Sequence, residues 1–247
     1  MPDTNYCYPE SDILINKLNI RDRNDLFEAE KSLTFIRLQE LQSAPLIGNF
    51  DFDHLKDIHR YIFQDIYEWA GKVRTVEIGK GNLFCTTTCL NDFAQVVFDN
   101  YYPQCFEAKD DFNQYVKIFA KNYGDLNALH PFREGNGRAQ REFARLVCLK
   151  CGYDFDLSCT KHKDMLEASI LSFEKGDNSA LADIFKNALT LHSDVESRMT
   201  DKLNILTFDD LAIGAYDGYD YYEYGEYEKS AFYDDVYKDK INELKNK

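Results

Sequence analysis

Twelve consecutive residues, His130 to Arg141, read HPFREGNGRAQR and gather a histidine, a carboxylate, an asparagine, two glycines and three arginines. A segment needed only for packing has no reason to assemble these types, and their order describes a phosphate site. A helix N-terminus leaves backbone N–H groups unpaired and carries partial positive charge, so an anion there gains hydrogen bonds and field together. Gly135 and Gly137 let the chain turn tightly and approach an anion with no Cβ between, which makes Gly135-Asn136-Gly137 a candidate nest. Arg138 and Arg141, three apart, are expected to project from one helix face and reach phosphate oxygens; Arg145 lies a turn further on, where a structural ion pair competes. Glu134 stands just ahead of the nest. A carboxylate beside phosphates needs a cation between them, and Mg²⁺ takes one or two carboxylates plus phosphate oxygens. His130 precedes the nest by five residues and faces the same group across the turn; an imidazole, with an ordinary pKa of about 6.5, suits a general base. Phe132 is expected to point inward and pin the loop.

The elements that must position these residues are mainly helical. Leu26, Phe27, Leu33, Ile36, Leu38 and Leu41 predict a helix from Asp25 to about Gln42, with Asp25 as its cap. Leu55, Ile58, Ile62, Ile66 and Trp69 recur at three or four residues and predict an amphipathic helix from Asp51 or Asp53 to Gly71, with His54 and His59 in ordinary helix positions. Around Gly79-Lys80-Gly81-Asn82, β-branched and aromatic residues predict a hairpin, the only one expected, which must lean on the helices or act as a flap. Further helices are expected from Asn91 to Phe106 with a break near Pro103, from Lys109 to Asn127, from Gly135 to Gly152, from Thr160 to Glu174 and from Asn178 to Leu191. The fold class is all-α: a helical domain over residues 25–192 with a hairpin flap, between an N-terminal arm, 1–24, draped over the surface and an acidic tail, 193–247. That tail holds eight of 17 tyrosines and 14 acidic against seven basic residues, half of the net charge of −14.

Composition narrows the function. With 43 Asp and Glu against 29 Lys and Arg, a general polyanion-binding surface is not expected, so no nucleic acid partner is assigned and a nucleotide must be held by a local cluster. No segment reaches the roughly 20 apolar residues of a membrane span, so no membrane association is expected. Seven cysteines and a polar N-terminus point to a reduced, cytoplasmic setting where the protein is made, with export into another cell left open. Cys148 and Cys151 spell C-x-x-C but lack a second pair and sit among Leu146, Val147 and Leu149, so they read as buried free thiols.

The motif resembles the signature of the Fic family (filamentation induced by cAMP; Fic/DOC superfamily) at every position of H-x-F-x-[D/E]-G-N-G-R-x-x-R. IYEWAGKVRTVEIGKGNLF is similar to the helix end and hairpin flap of that family, and EASILSFEKGDNSALADIFKNAL to its closing helices, so the resemblance spans residues 25–190. It implies a Fic-type fold and a protein adenylyltransferase, in which ATP donates AMP to a Ser, Thr or Tyr hydroxyl of a target protein and pyrophosphate leaves. By position, His130 would deprotonate the hydroxyl and Glu134 would hold Mg²⁺. Asn136 with the Gly135 and Gly137 amides would grip the phosphates, and Arg138 and Arg141 would bind the outer ones. The flap, Gly79, Lys80, Gly81, Asn82, Leu83 and Phe84, would pair with an extended target segment. Lys80 to Leu83 and the helix near Glu167 are where the adenine end is sought. Many family members also carry an inhibitory [S/T]-x-x-x-E-[G/N] helix, which this chain lacks; Ser230 to Asp234 comes nearest, with Asp for Glu. A small antitoxin-like inhibitor in trans, or the tail, is expected to take its place. Transfer of another phosphate-containing group and a non-catalytic scaffold are the alternatives.

Overall fold

The computed structural model describes residues 5–80 and 82–192 of the 247-residue chain. Gly81, residues 1–4 and the tail, 193–247, lie outside the described residues, as do the expectations placed on them. Residues 5–22 do more than drape: Tyr6, Cys7 and Leu14 are buried, Cys7 bridges to Leu14, and the Tyr6 ring meets Trp69 edge-on at 5.7 Å. Their apolar residues are too few to show a period, which is why the sequence reads as surface.

Helix α1, Arg23–Ser43, begins two residues ahead of the expected start because Asp22, not Asp25, accepts the first free amides, Asn24 N–H and Asp25 N–H. Helix α2, Phe52–Phe63, is capped by Asp51 and buries Leu55, Ile58 and Ile62. It stops eight residues short of Gly71. The chain runs on in turns that keep Ile66 buried, so the apolar spacing persists after the helix has ended. Strands β1, Gly79–Lys80, and β2, Asn82–Leu83, pair antiparallel, with Gly79 opposite Leu83 and Lys80 opposite Asn82. Helix α3, Leu90–Ala108, runs unbroken through Pro103, whose exposed face leaves open to solvent the carbonyl that a proline cannot bond.

The central helix is α4, Phe112–Leu129, capped by Asp111 and burying Tyr115, Phe119, Leu126 and Leu129 against α3, α5, α6 and α7. Helix α5, Asn136–Lys150, packs on α2 and carries Cys148 toward Cys151; both thiols are free and buried, and burial pushes that of Cys151 up to about 11. Strand β3, Tyr153–Phe155, follows, then α6, His162–Lys175, and α7, Ser179–Ala188. The chain then leaves the helix expected to reach Leu191 and forms β4, Leu189–Leu191, antiparallel to β3. This second ribbon was not expected, because three-residue strands carry no periodic signal. No helix among the described residues is long and apolar enough to cross a membrane.

Candidate active site

The site is built where α4 stops and α5 starts. His130 caps α4 in the left-handed conformation (φ 42°, ψ 61°), a state that costs a non-glycine residue about 1–3 kcal/mol and turns its side chain off the helix. The ring is 1% exposed and lies flat on Phe84, centroids 3.7 Å apart and planes 8° from parallel. Its Nδ1 is 3.1 Å from the Asn127 carbonyl oxygen. A carbonyl only accepts, so Nδ1 carries the proton and Nε2 keeps its lone pair.

The loop that follows is clasped from inside. Asn136 accepts from Phe132 N–H and donates to Phe132 O, both at 2.8 Å, and is fully buried. Its side-chain amide thus closes the loop from within, while its backbone N–H stands at the start of α5. Phe132 points inward as expected, its ring stacked on His59 at 3.8 Å. Gly135 starts α5 at φ 79°, where a Cβ would run into the Phe63 ring, and no side chain caps the helix. Glu134 is buried; its Oε1 accepts from Gly135 N–H at 3.1 Å and lies 3.7 Å from Arg138 Nη2.

The two motif arginines part company. Arg141 lines a cleft together with His130, Gly137 and Gln140 from the motif side and His162, Met165, Leu166 and Ser169 from the α6 side. Arg138 does not line it. Its guanidinium is buried over Phe63 and bonds Glu30 Oε1 at 2.6 Å and Thr34 Oγ1 at 3.3 Å, both on α1. At three residues' separation the side chains stand about 60° short of a full turn, enough for one to face the α1 carboxylate and the other the cleft. Arg145 makes the structural ion pair, with Glu142 at 2.7 Å.

Glu167 stands apart from the cleft lining. Its side chain is 64% exposed and pairs with Lys163 at 3.7 Å, so it sits on the outer side of α6 while its neighbours Met165, Leu166 and Ser169 face the cleft. In the flap, Leu83 is 60% exposed whereas Phe84 is buried on His130. For Lys80 and Asn82 the structure gives the backbone pairing alone.

Two residues were not singled out from sequence. Arg74 is buried and joins the flap to the motif: its Nε donates to His130 O at 2.9 Å, Nη1 to Val76 O at 2.8 Å, and Nη2 to Cys85 O. His59 donates to Glu134 O and accepts from Gly71 N–H, and burial pushes its imidazole down to about 3, so it stays neutral. A His set among helix residues of the right period gives no signal of this kind.

The matches to known proteins agree with this geometry. The model of the Fic/DOC family matches residues 49–148. A probable protein adenylyltransferase of Sinorhizobium fredii is 38% identical over 181 residues, covering 71% of this chain and 91% of that protein. The protein adenylyltransferase VbhT of Bartonella schoenbuchensis is 36% identical over 75% of this chain, a match that spans 39% of VbhT's own length. Among solved structures, the Fic domain of a putative cell filamentation protein from Bartonella quintana with bound ADP superposes with a TM-score of 0.70 at 24% identity, covering 78% of this chain and 98% of that one. The fold is shared with that domain, and on the relatives' identity and coverage the chain belongs to the Fic/DOC family.

Proposed function

We propose that the chain transfers AMP from ATP to a hydroxyl side chain of a protein target and releases pyrophosphate. The observation that carries this reading is one cleft lined by His130, Gly137 and Arg141 at the uncapped start of α5, in a chain whose relatives are named protein adenylyltransferases. The hydroxyl oxygen attacks the α-phosphorus, the bond from that phosphorus to the bridging oxygen breaks, and the hydroxyl proton passes to His130 Nε2. The Nδ1 bond to Asn127 O supports this role by leaving the lone pair on Nε2. Backbone amides from Gly135 to Gly137 bind the phosphates, and Arg141 meets the outer ones and the charge that departs with pyrophosphate. Arg138 acts indirectly, by fixing α5 to α1.

Glu134 would hold Mg²⁺. A single buried carboxylate fits an ion that keeps phosphate oxygens and water as its other ligands, and the described residues contain no cluster of three or more metal-binding side chains that would cage a different one. When bound, the ion neutralises charge between the phosphates. The target segment would add to the hairpin Gly79–Leu83 as an extended strand, where exposed Leu83 offers an apolar contact. Inhibition falls to a partner in trans or to residues 193–247; if removing those residues leaves ATP-dependent automodification unchanged, the tail is not the inhibitor.

The function is tested by incubating the protein with ATP labelled at the α-phosphate, Mg²⁺ and candidate targets. Label appears on protein, and His130→Ala lowers the rate by about 100-fold or more. Undiminished labelling by that variant would refute the assignment of His130, and labelling from a different nucleotide alone would refute ATP as donor.

A further inference from the structure

One fully buried polar side chain touches the anion loop without a part in the chemistry above: His59, on the last turns of α2. Its ring is held between Phe132 at 3.8 Å and Phe63 at 4.6 Å, both nearly parallel to it. Gly71 N–H donates to Nδ1 at 2.8 Å, so that nitrogen accepts and the proton sits on Nε2. Nε2 in turn donates to the Glu134 carbonyl oxygen at 2.9 Å.

In a trans peptide the C=O and the following N–H point in opposite directions. With the Glu134 carbonyl turned to His59, the Gly135 N–H must point away from His59. On that side Oε1 of Glu134 accepts from it at 3.1 Å, so an oxygen acceptor already stands where the N–H points. The opposite orientation would present a carbonyl oxygen to the phosphates. Residue 135 must be glycine, because a Cβ would strike Phe63, and a glycine tolerates both orientations about equally well. The steric demand that selects Gly135 therefore removes the usual barrier to a flipped peptide, and an external clamp is needed to choose one.

We infer that His59 is a positioning residue for nucleotide transfer: its Nε2–H locks the Glu134–Gly135 peptide so that the Gly135 amide faces the donor phosphates. This rests on the nucleotide-transfer reading, and it adds a residue 75 positions upstream of the loop it controls.

The test compares His59→Phe, which keeps a ring between Phe63 and Phe132 but has no donor, with His59→Gln, whose amide nitrogen can stand where Nε2 does. With both variants shown folded by circular dichroism, ATP with Mg²⁺ binds His59→Phe about tenfold more weakly than wild type, while His59→Gln stays within about threefold. The Gly135 amide resonance of ¹⁵N-glycine-labelled protein moves on ATP addition in wild type and His59→Gln and stays still in His59→Phe. A general packing role predicts no rescue by glutamine, so equal loss in both variants overturns the inference, as does wild-type affinity in His59→Phe. Should His59→Phe not fold, the ¹⁵N spectrum of the wild-type imidazole decides: a proton on Nε2 supports the clamp and a proton on Nδ1 overturns it. Wild-type protein that binds no ATP overturns the nucleotide reading itself, an outcome seen with His59 intact and so distinct from failure of the clamp.

Discussion

The guanidinium of Arg138, the Glu30 carboxylate and the Tyr67 hydroxyl form a chain of contacts removed from water, with Thr34 closing one end. Two charges buried together depend on each other, since removing one leaves the other unsolvated. Glu30→Ala is therefore expected to cost about 3 kcal/mol or more of stability. Chemical denaturation reads this as a lower midpoint, and a midpoint equal to wild type would show that the pair is not buried in solution. The motif's residue types were legible at once, because His, Glu, Gly, Asn and Arg lie within twelve positions. The division of labour between Arg138 and Arg141 was not, since it depends on a carboxylate 108 residues away on α1. The Asn136 clasp was hidden for a related reason: a side chain that bonds its own loop looks in sequence like one that bonds a ligand.

At the scale of elements, one side chain joins the flap to the motif. Arg74 bonds carbonyls of the motif and of both arms leading into the hairpin, Val76 and Cys85, and Glu77 beside it accepts from Thr87 N–H at 2.9 Å. Those Thr87 bonds, and then the nearby Arg74 charge, hold the Glu77 carboxyl below its usual range. Arg74→Met would leave three carbonyls without their donor, at about 1–3 kcal/mol for each one kept from water. We expect faster amide hydrogen exchange at Phe84 and Cys85, with transfer to a target falling more than ATP binding; unchanged exchange would show that the hairpin holds itself. The hairpin was legible from its Gly-Lys-Gly-Asn centre, and α4 and α5 from clean apolar periods. The end of α2 was not, because Ile66 and Trp69 keep helical spacing while the backbone has already turned. Pro103 misled in the other direction: it lies on the exposed face of α3, where the carbonyl left without its donor is open to solvent.

In the molecule as a whole, β4 ties the end of the described chain to the turn after α5. Leu189 pairs with Phe155 and is buried, and Leu191 pairs with Tyr153. A chain truncated after Ala188 should be less stable than one truncated after His192 by about 2–3 kcal/mol, the worth of burying one leucine; equal melting would remove β4 from the fold's support. The same whole-molecule view gives the Phe84–His130 stack a meaning in terms of solvent. A base 1% exposed and covered on one face by a phenyl ring is poorly placed to activate bulk water. On the proposed function, ATP in the cleft would thereby be shielded from hydrolysis until a protein hydroxyl arrives at the flap. Phe84→Ala should then raise target-independent ATP hydrolysis several-fold while target modification declines. On that reading, the ring that covers His130 would make the donor wait for its acceptor.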